Sequence, residues 1–145
     1  MKTINPYLNF PGNTKEAFNF YKSVFGSELV GLTRFKDTPA PETNKLSDEE
    51  KEKVMHVSLP VGDANILMAT DSLESMGHKV TSGTNFHLCI ETESKEEADR
   101  IFQGLSSGGK VTMDLSDTFW GSYFGMLTDK FGIQWMIDYT YPKQN

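Results

Sequence analysis

Two segments of the chain, 81 positions apart, repeat the same helix-forming signals. Asn13-Thr-Lys-Glu16 and Ser94-Lys-Glu-Glu97 each set a capping residue three positions before a glutamate able to reach back to it. Each then opens an amphipathic stripe. Ala17, Phe20, Tyr21 and Val24 fall at i, i+3, i+4 and i+7, and Ala98, Ile101, Phe102 and Leu105 repeat that spacing. Gly26 stops the first helix and Gly108-Gly109 the second, as a left-handed closing residue does. Alternating segments around residues 4–10, 28–35, 54–61, 64–70, 85–92, 110–116, 122–128 and 133–140 read as strands. Each half is therefore strand, helix and three strands. The predicted class is α+β, with one βαβββ module over roughly residues 1–72 and a second over roughly 84–141.

Between these elements, residues 37–53 carry Pro39, Pro41, six acids and three bases, and read as a long acidic loop in which Ser47 caps a short helix. Residues 91–99 add five acids and one base, so the formal charge of −6 over 145 residues comes from a loop and a helix start. Such a balance argues against nucleic acid as a partner, since phosphate binding runs on clustered Lys and Arg. No apolar run approaches the roughly 20 residues of a membrane span, and no leader peptide is evident. The single cysteine, Cys89, suits a reducing, cytoplasmic setting.

A set of short motifs carries a family resemblance. Asn19–Tyr21 with Phe25-Gly26, Met55-His56, Gly62 and Leu67-Met68 begin it; Phe119-Trp120-Gly121, Phe124-Gly125, Asp129-Lys130-Phe131-Gly132 and Trp135-Met136-Ile137 complete it. Over nearly its whole length the sequence resembles the vicinal oxygen chelate superfamily of glyoxalases, bleomycin resistance proteins and dioxygenases. Within it, the sequence looks like the PhnB-like branch, which often bears a 3-demethylubiquinone-9 3-methyltransferase label. That label finds no support in the residues, because no glycine-rich turn follows a strand here. The resemblance implies that the modules form a curved, incomplete barrel with helices outside and a ligand cleft inside, and that the protein pairs as a homodimer.

Strand alternation then sorts the side chains. Leu8, Phe10, Val57, Leu59, Leu88, Ile90, Trp135 and Ile137 are expected to face the helices. The cleft is expected to receive Asn5, Tyr7 and Asn9, His56 and Ser58, Leu67, His87, Cys89 and Glu91, and Gln134, Met136 and Asp138. The resemblance places the superfamily's four metal ligands at Asn5, Leu67, His87 and Met136. Only His87 is a strong donor, so no metal cofactor is expected in the standard manner. A divalent metal at a rebuilt site of His56, His87 and Glu91 or Asp138 stays open. The candidate ligand-binding residues are Asn5, Tyr7, His56, His87, Trp120, Phe124 and Gln134, for a small organic ligand. His56 is the candidate catalytic acid or base. Asp71 ends a strand, where it either meets ligand or caps a turn. Three functions follow: a metal-free small-molecule binder, an enzyme of lyase, isomerase or dioxygenase type using His56 or a rebuilt metal site, and a structural or regulatory dimer with a closed cleft.

Overall fold

A computed structural model describes residues 1–39 and 41–143. It divides into two compact units, Met1–Thr81 and Ser82–Asn145. No helix among the described residues is long and apolar enough to cross a membrane.

The first unit contains β1 (Tyr7–Phe10), α1 (Thr14–Phe25), β2 (Val30–Arg34), α2 (Asp48–Lys51), β3 (Val54–Val61) and β4 (Asn65–Asp71). Its sheet runs β1-β4-β3-β2, with β1 parallel to β4 and the other pairs antiparallel. Gly62 turns β3 into β4 with a positive φ of 60°. Within the acidic segment, Ser47 caps α2 as expected, its hydroxyl accepting the Glu50 N–H at 3.1 Å. Ala40 of that segment lies outside the described residues.

The start of α1 departs from the sequence reading. Asn13 sits at φ −115°, ψ 28° and makes no side-chain cap, its Oδ1 being buried without a hydrogen-bond partner. Asp71, 3% exposed at the end of β4, supplies the missing acceptor from across the sheet. One carboxylate oxygen accepts the Thr14 N–H at 2.9 Å and the other the Val54 N–H at 2.8 Å. The buried stripe of α1 is consequently Thr14, Ala17, Phe18 and Tyr21, rotated slightly from the expected one: Phe18 enters the core while Phe20 and Val24 are half-buried. Phe18 packs edge-on against Phe10 and Tyr21, with ring centroids 6.4 and 5.7 Å apart.

The second unit contains β5 (Leu88–Glu91), α3 (Lys95–Ser106), β6 (Lys110–Asp117), β7 (Ser122–Thr128) and β8 (Gln134–Thr140). Its order, β5-β8-β7-β6, repeats the first unit's with β5 parallel to β8. Here the N-cap forms: Ser94 Oγ accepts the Glu97 N–H, while the Glu97 carboxylate reaches past Ser94 to the Glu93 N–H, both at 3.0 Å. Ala98, Ile101 and Leu105 of α3 cover Leu127, Trp135 and Ile137. Gly125 allows that approach, since a Cβ there would stand 2.8 Å from the Phe102 ring. Asp129 organises the β7–β8 turn, accepting the Phe131 and Ile133 N–H groups and the Trp135 indole N–H.

These cap geometries give opposite expectations for two look-alike residues. Ser94→Ala should cost about 1 kcal/mol, whereas Asn13→Ala should change stability by less than about 0.5 kcal/mol. Asp71→Ala, which strands two buried N–H groups, should cost roughly 2–5 kcal/mol. Urea midpoints of the three variants check the ranking, and a large loss for Asn13→Ala would contradict it.

Candidate functional site

Each sheet has a helix-covered face and a second face, and strand pairing assigns every candidate to one or the other. In the first unit, Val57 pairs with Ala69 and Leu59 with Leu67, and all four are buried with Leu8 on the α1 side. Leu67 was expected in the cleft; register puts it in the core instead, and Met68 takes the opposite face beside its partners Tyr7 and Ser58. One residue of register reverses the facing of a strand.

On that second face the structure brings together Tyr7, His56 and Ser58. The Tyr7 hydroxyl lies 3.1 Å from His56 Nδ1, and His56 Nε2 lies 3.0 Å from Ser58 Oγ. The rings of Tyr7 and His56 are tilted at 38° with centroids 5.7 Å apart. Tyr7 remains 45% exposed, so the network opens outward. Burial of its inner part pushes the Tyr7 phenol up, opposed by a hydrogen bond with Thr70.

The chemistry follows from the two imidazole tautomers. If Tyr7 donates to Nδ1, the Nε2–H donates to Ser58. If Nδ1–H donates to Tyr7, Nε2 accepts the Ser58 proton. The trio can thus present either a donor or an acceptor to an adjoining polar group by shifting protons along one line. Ser58 and Thr70 were not among the selected candidates, although the i, i+2 spacing of His56 and Ser58 on one strand was a usable signal.

Asn5 serves the backbone. Its side-chain oxygen accepts the Ile66 N–H at 3.1 Å and its amide donates to Thr3 at 3.2 Å, which extends the β1–β4 seam. Asp71 likewise resolves as a cap.

In the second unit the face away from α3 carries Gln134, Met136 and Asp138 on β8, Phe124 and Met126 on β7, and Cys89 and Glu91 on β5. Gln134 donates its amide to the Phe86 carbonyl at 2.6 Å and so braces the approach to β5. His87 is half-buried just before β5. Trp120, 56% exposed, packs edge-on between Phe119 and Phe124, with centroids 5.0 and 6.0 Å away. Phe119, in the turn after β6, is 97% exposed.

Of the four positions the resemblance assigned to metal ligands, Leu67 is buried and apolar, Asn5 spends its oxygen on a backbone N–H, Met136 carries a thioether and His87 an imidazole. Among the described residues no three His, Cys, Asp or Glu side chains stand close enough to hold a metal ion.

On the α3 side, two phenol–carboxylate pairs mark the surface. Tyr123 donates to Asp99 and Tyr141 to Asp117, each at 2.5 Å, and Lys95 lies 4.6 Å above the Tyr123 ring. In both, the hydrogen bond to the carboxylate holds the proton on the phenol, pushing Tyr123 and Tyr141 up to about 12.

A family model described as the Glyoxalase/Bleomycin resistance protein/Dioxygenase superfamily matches residues 3–137. Protein YjdN of Escherichia coli (strain K12) is 30% identical over 144 residues, covering 93% of each chain. Among solved structures, protein PA1353 from Pseudomonas aeruginosa is 38% identical with a TM-score of 0.82, over 95% of this chain and 97% of that one. A PhnB protein from Bacillus cereus is 29% identical with a TM-score of 0.75, over 95% and 99%.

Spectrophotometric titration checks the phenol assignments. Of the five tyrosines, Tyr123 and Tyr141 should ionise only near 12, and Tyr7 above its ordinary value. Because the folded values are raised, these bonds favour the fold below about pH 10 and lose that effect as pH climbs through about 12. Asp99→Asn should return Tyr123 toward the ordinary range; a titration unchanged by it would contradict the pairing.

Proposed function

We propose a function from one premise: the chain belongs to the Glyoxalase/Bleomycin resistance protein/Dioxygenase superfamily. It is a PhnB-like, cytoplasmic homodimer that binds a small organic molecule without a resident metal. Tyr7, His56 and Ser58 contact the polar part of that molecule. The observation that carries this reading is their hydrogen-bonded line on the face of the sheet that α1 does not cover. A half-exposed phenol, an imidazole and a hydroxyl supply few but convergent polar groups, as small-molecule sites do. The donor chemistry at Asn5, Leu67, His87 and Met136 supports independence from metal. On the second unit's sheet, taken by itself, Trp120, Phe124 and His87 remain candidate contacts for a small organic molecule.

A second reading has its own observation. His56 Nε2 lies within hydrogen-bond reach of Ser58 while Nδ1 is held by Tyr7, the arrangement by which a histidine moves a proton under control of a third group. In that case the bound molecule is also turned over, with His56 as acid or base.

A metabolite panel read by melting temperature separates these outcomes. A binding compound should stabilise the protein as mass action requires. Its affinity should fall by about 10-fold or more in His56→Ala and in Tyr7→Phe, with the fold retained. Product formation would select the enzymatic reading. Compounds bound equally by wild type and both variants, or near-stoichiometric divalent nickel, zinc, iron or manganese in protein purified without a chelating tag, would overturn the proposal.

A further inference from the structure

The first unit's open face carries its polar groups without a charged neighbour, and this bears on which molecules it takes. β1, β4 and β3 pair without a register shift, so Tyr7, Met68 and Ser58 stand in one row across three strands. Register partners project to the same face. Ile66 and Pro60 form the next row on one side, and Thr70 opposes Asn9 on the other. His56 joins through its contacts with Tyr7 and Ser58. The four strands of this sheet hold two charged side chains, and both are engaged elsewhere. Asp71 is buried under two backbone N–H groups, and the Arg34 guanidinium donates to the Glu52 carbonyl.

The hydrogen-bonded line has a fixed proton count. With a neutral imidazole, Tyr7, His56 and Ser58 hold three exchangeable protons, and their two contacts use two of them. The third stands at one end as a hydroxyl donor, on Ser58 in one tautomer and on Tyr7 in the other, while the opposite end offers lone pairs. A hydroxyl, which both gives and takes, fits either end. A carbonyl oxygen fits whichever end donates. A carboxylate or an ammonium would give up its water here with no Asp, Glu, Lys or Arg in these rows to replace it, and unpaired charge is costly to desolvate. Beside the line, Met68 is half-buried and Ile66 is 38% exposed, which provides apolar contact for the rest of a molecule.

We propose that this face selects an uncharged molecule and meets it through a neutral oxygen, hydroxyl or carbonyl, at the Ser58 or Tyr7 end of the line, with Met68 and Ile66 against its apolar body. This charge class rests on the reading above that Tyr7, His56 and Ser58 contact the ligand.

Benzyl alcohol, acetophenone, benzoate and benzylammonium share one ring and differ in the charge of their polar group. Each is titrated at neutral pH into the full-length protein, with affinity read from the NMR signals of the Met68 methyl and the His56 ring. The two neutral compounds should bind at least about 10-fold more tightly than either ion. Ser58→Ala and Tyr7→Phe should weaken the neutral compounds and narrow that gap. Ile66→Lys puts a cation at an exposed position about 7 Å along β4 from Met68. It should raise benzoate affinity by about 10-fold and change that of benzyl alcohol by less than about 2-fold. Circular dichroism confirms that the variants fold. An ion bound at these signals as tightly as the neutral compounds would overturn the charge class and leave the site standing. Met68 and His56 signals unmoved by all four compounds would overturn the site itself, and this selectivity with it.

Discussion

A single buried carboxylate sets the geometry of the first unit. Asp71 accepts one backbone N–H from the start of α1 and another from the start of β3, so a helix and a strand are fixed to the end of β4 by one side chain. Both amides are buried and would otherwise lack acceptors, which makes the arrangement costly to break. It also fixes how α1 lies: with Thr14 held to the sheet, Phe18 is turned inward against Phe10 and Tyr21. Asp129 does comparable work in the second unit, where a turn and the indole of Trp135 share one carboxylate.

With one face of each sheet committed to a helix, the period of two along a strand leaves the other face for chemistry. That face carries the hydroxyl–imidazole–hydroxyl line in the first unit, and Gln134, Met136, Asp138, Phe124 and Met126 in the second. Tyr7, His56 and Ser58 can trade protons and suit polar groups of an organic ligand. Superfamily membership accounts for the scaffold shared by both units, while these side chains must be argued one by one.

Much of the fold was legible because the signals were local. Amphipathic stripes locate α1 and α3, Ser94 caps α3 and the left-handed Gly26 closes α1, while α3 ends on the extended Ser107; alternation over 54–61 and 122–128 coincides with β3 and β7. What could not be read depended on distant residues. Asn13 looks like Ser94, yet only the second caps its helix with its side chain, and at the start of α1 Asp71, from 57 positions away, takes the Thr14 amide. Leu67 and Met68 are adjacent, and nothing within that pair says which one faces the core; pairing with Leu59 decides it. Among candidate site residues, Tyr7 and His56 meet as alternation implied. Asn5 and Gln134, polar residues on the expected face, are instead held by backbone groups. A polar side chain near a strand end satisfies a neighbouring amide as readily as it meets a ligand, and sequence alone does not distinguish the two.

Ligand is proposed to be met on the face carrying Tyr7, His56 and Ser58. Nitrogen-15 NMR of the His56 imidazole tests it most directly, recorded on the protein alone and with a compound that raises its melting temperature. The Nδ1 and Nε2 signals should both move, because a ligand on this line redistributes the proton between Tyr7 and Ser58. Saturating ligand that leaves both nitrogens unmoved would contradict it.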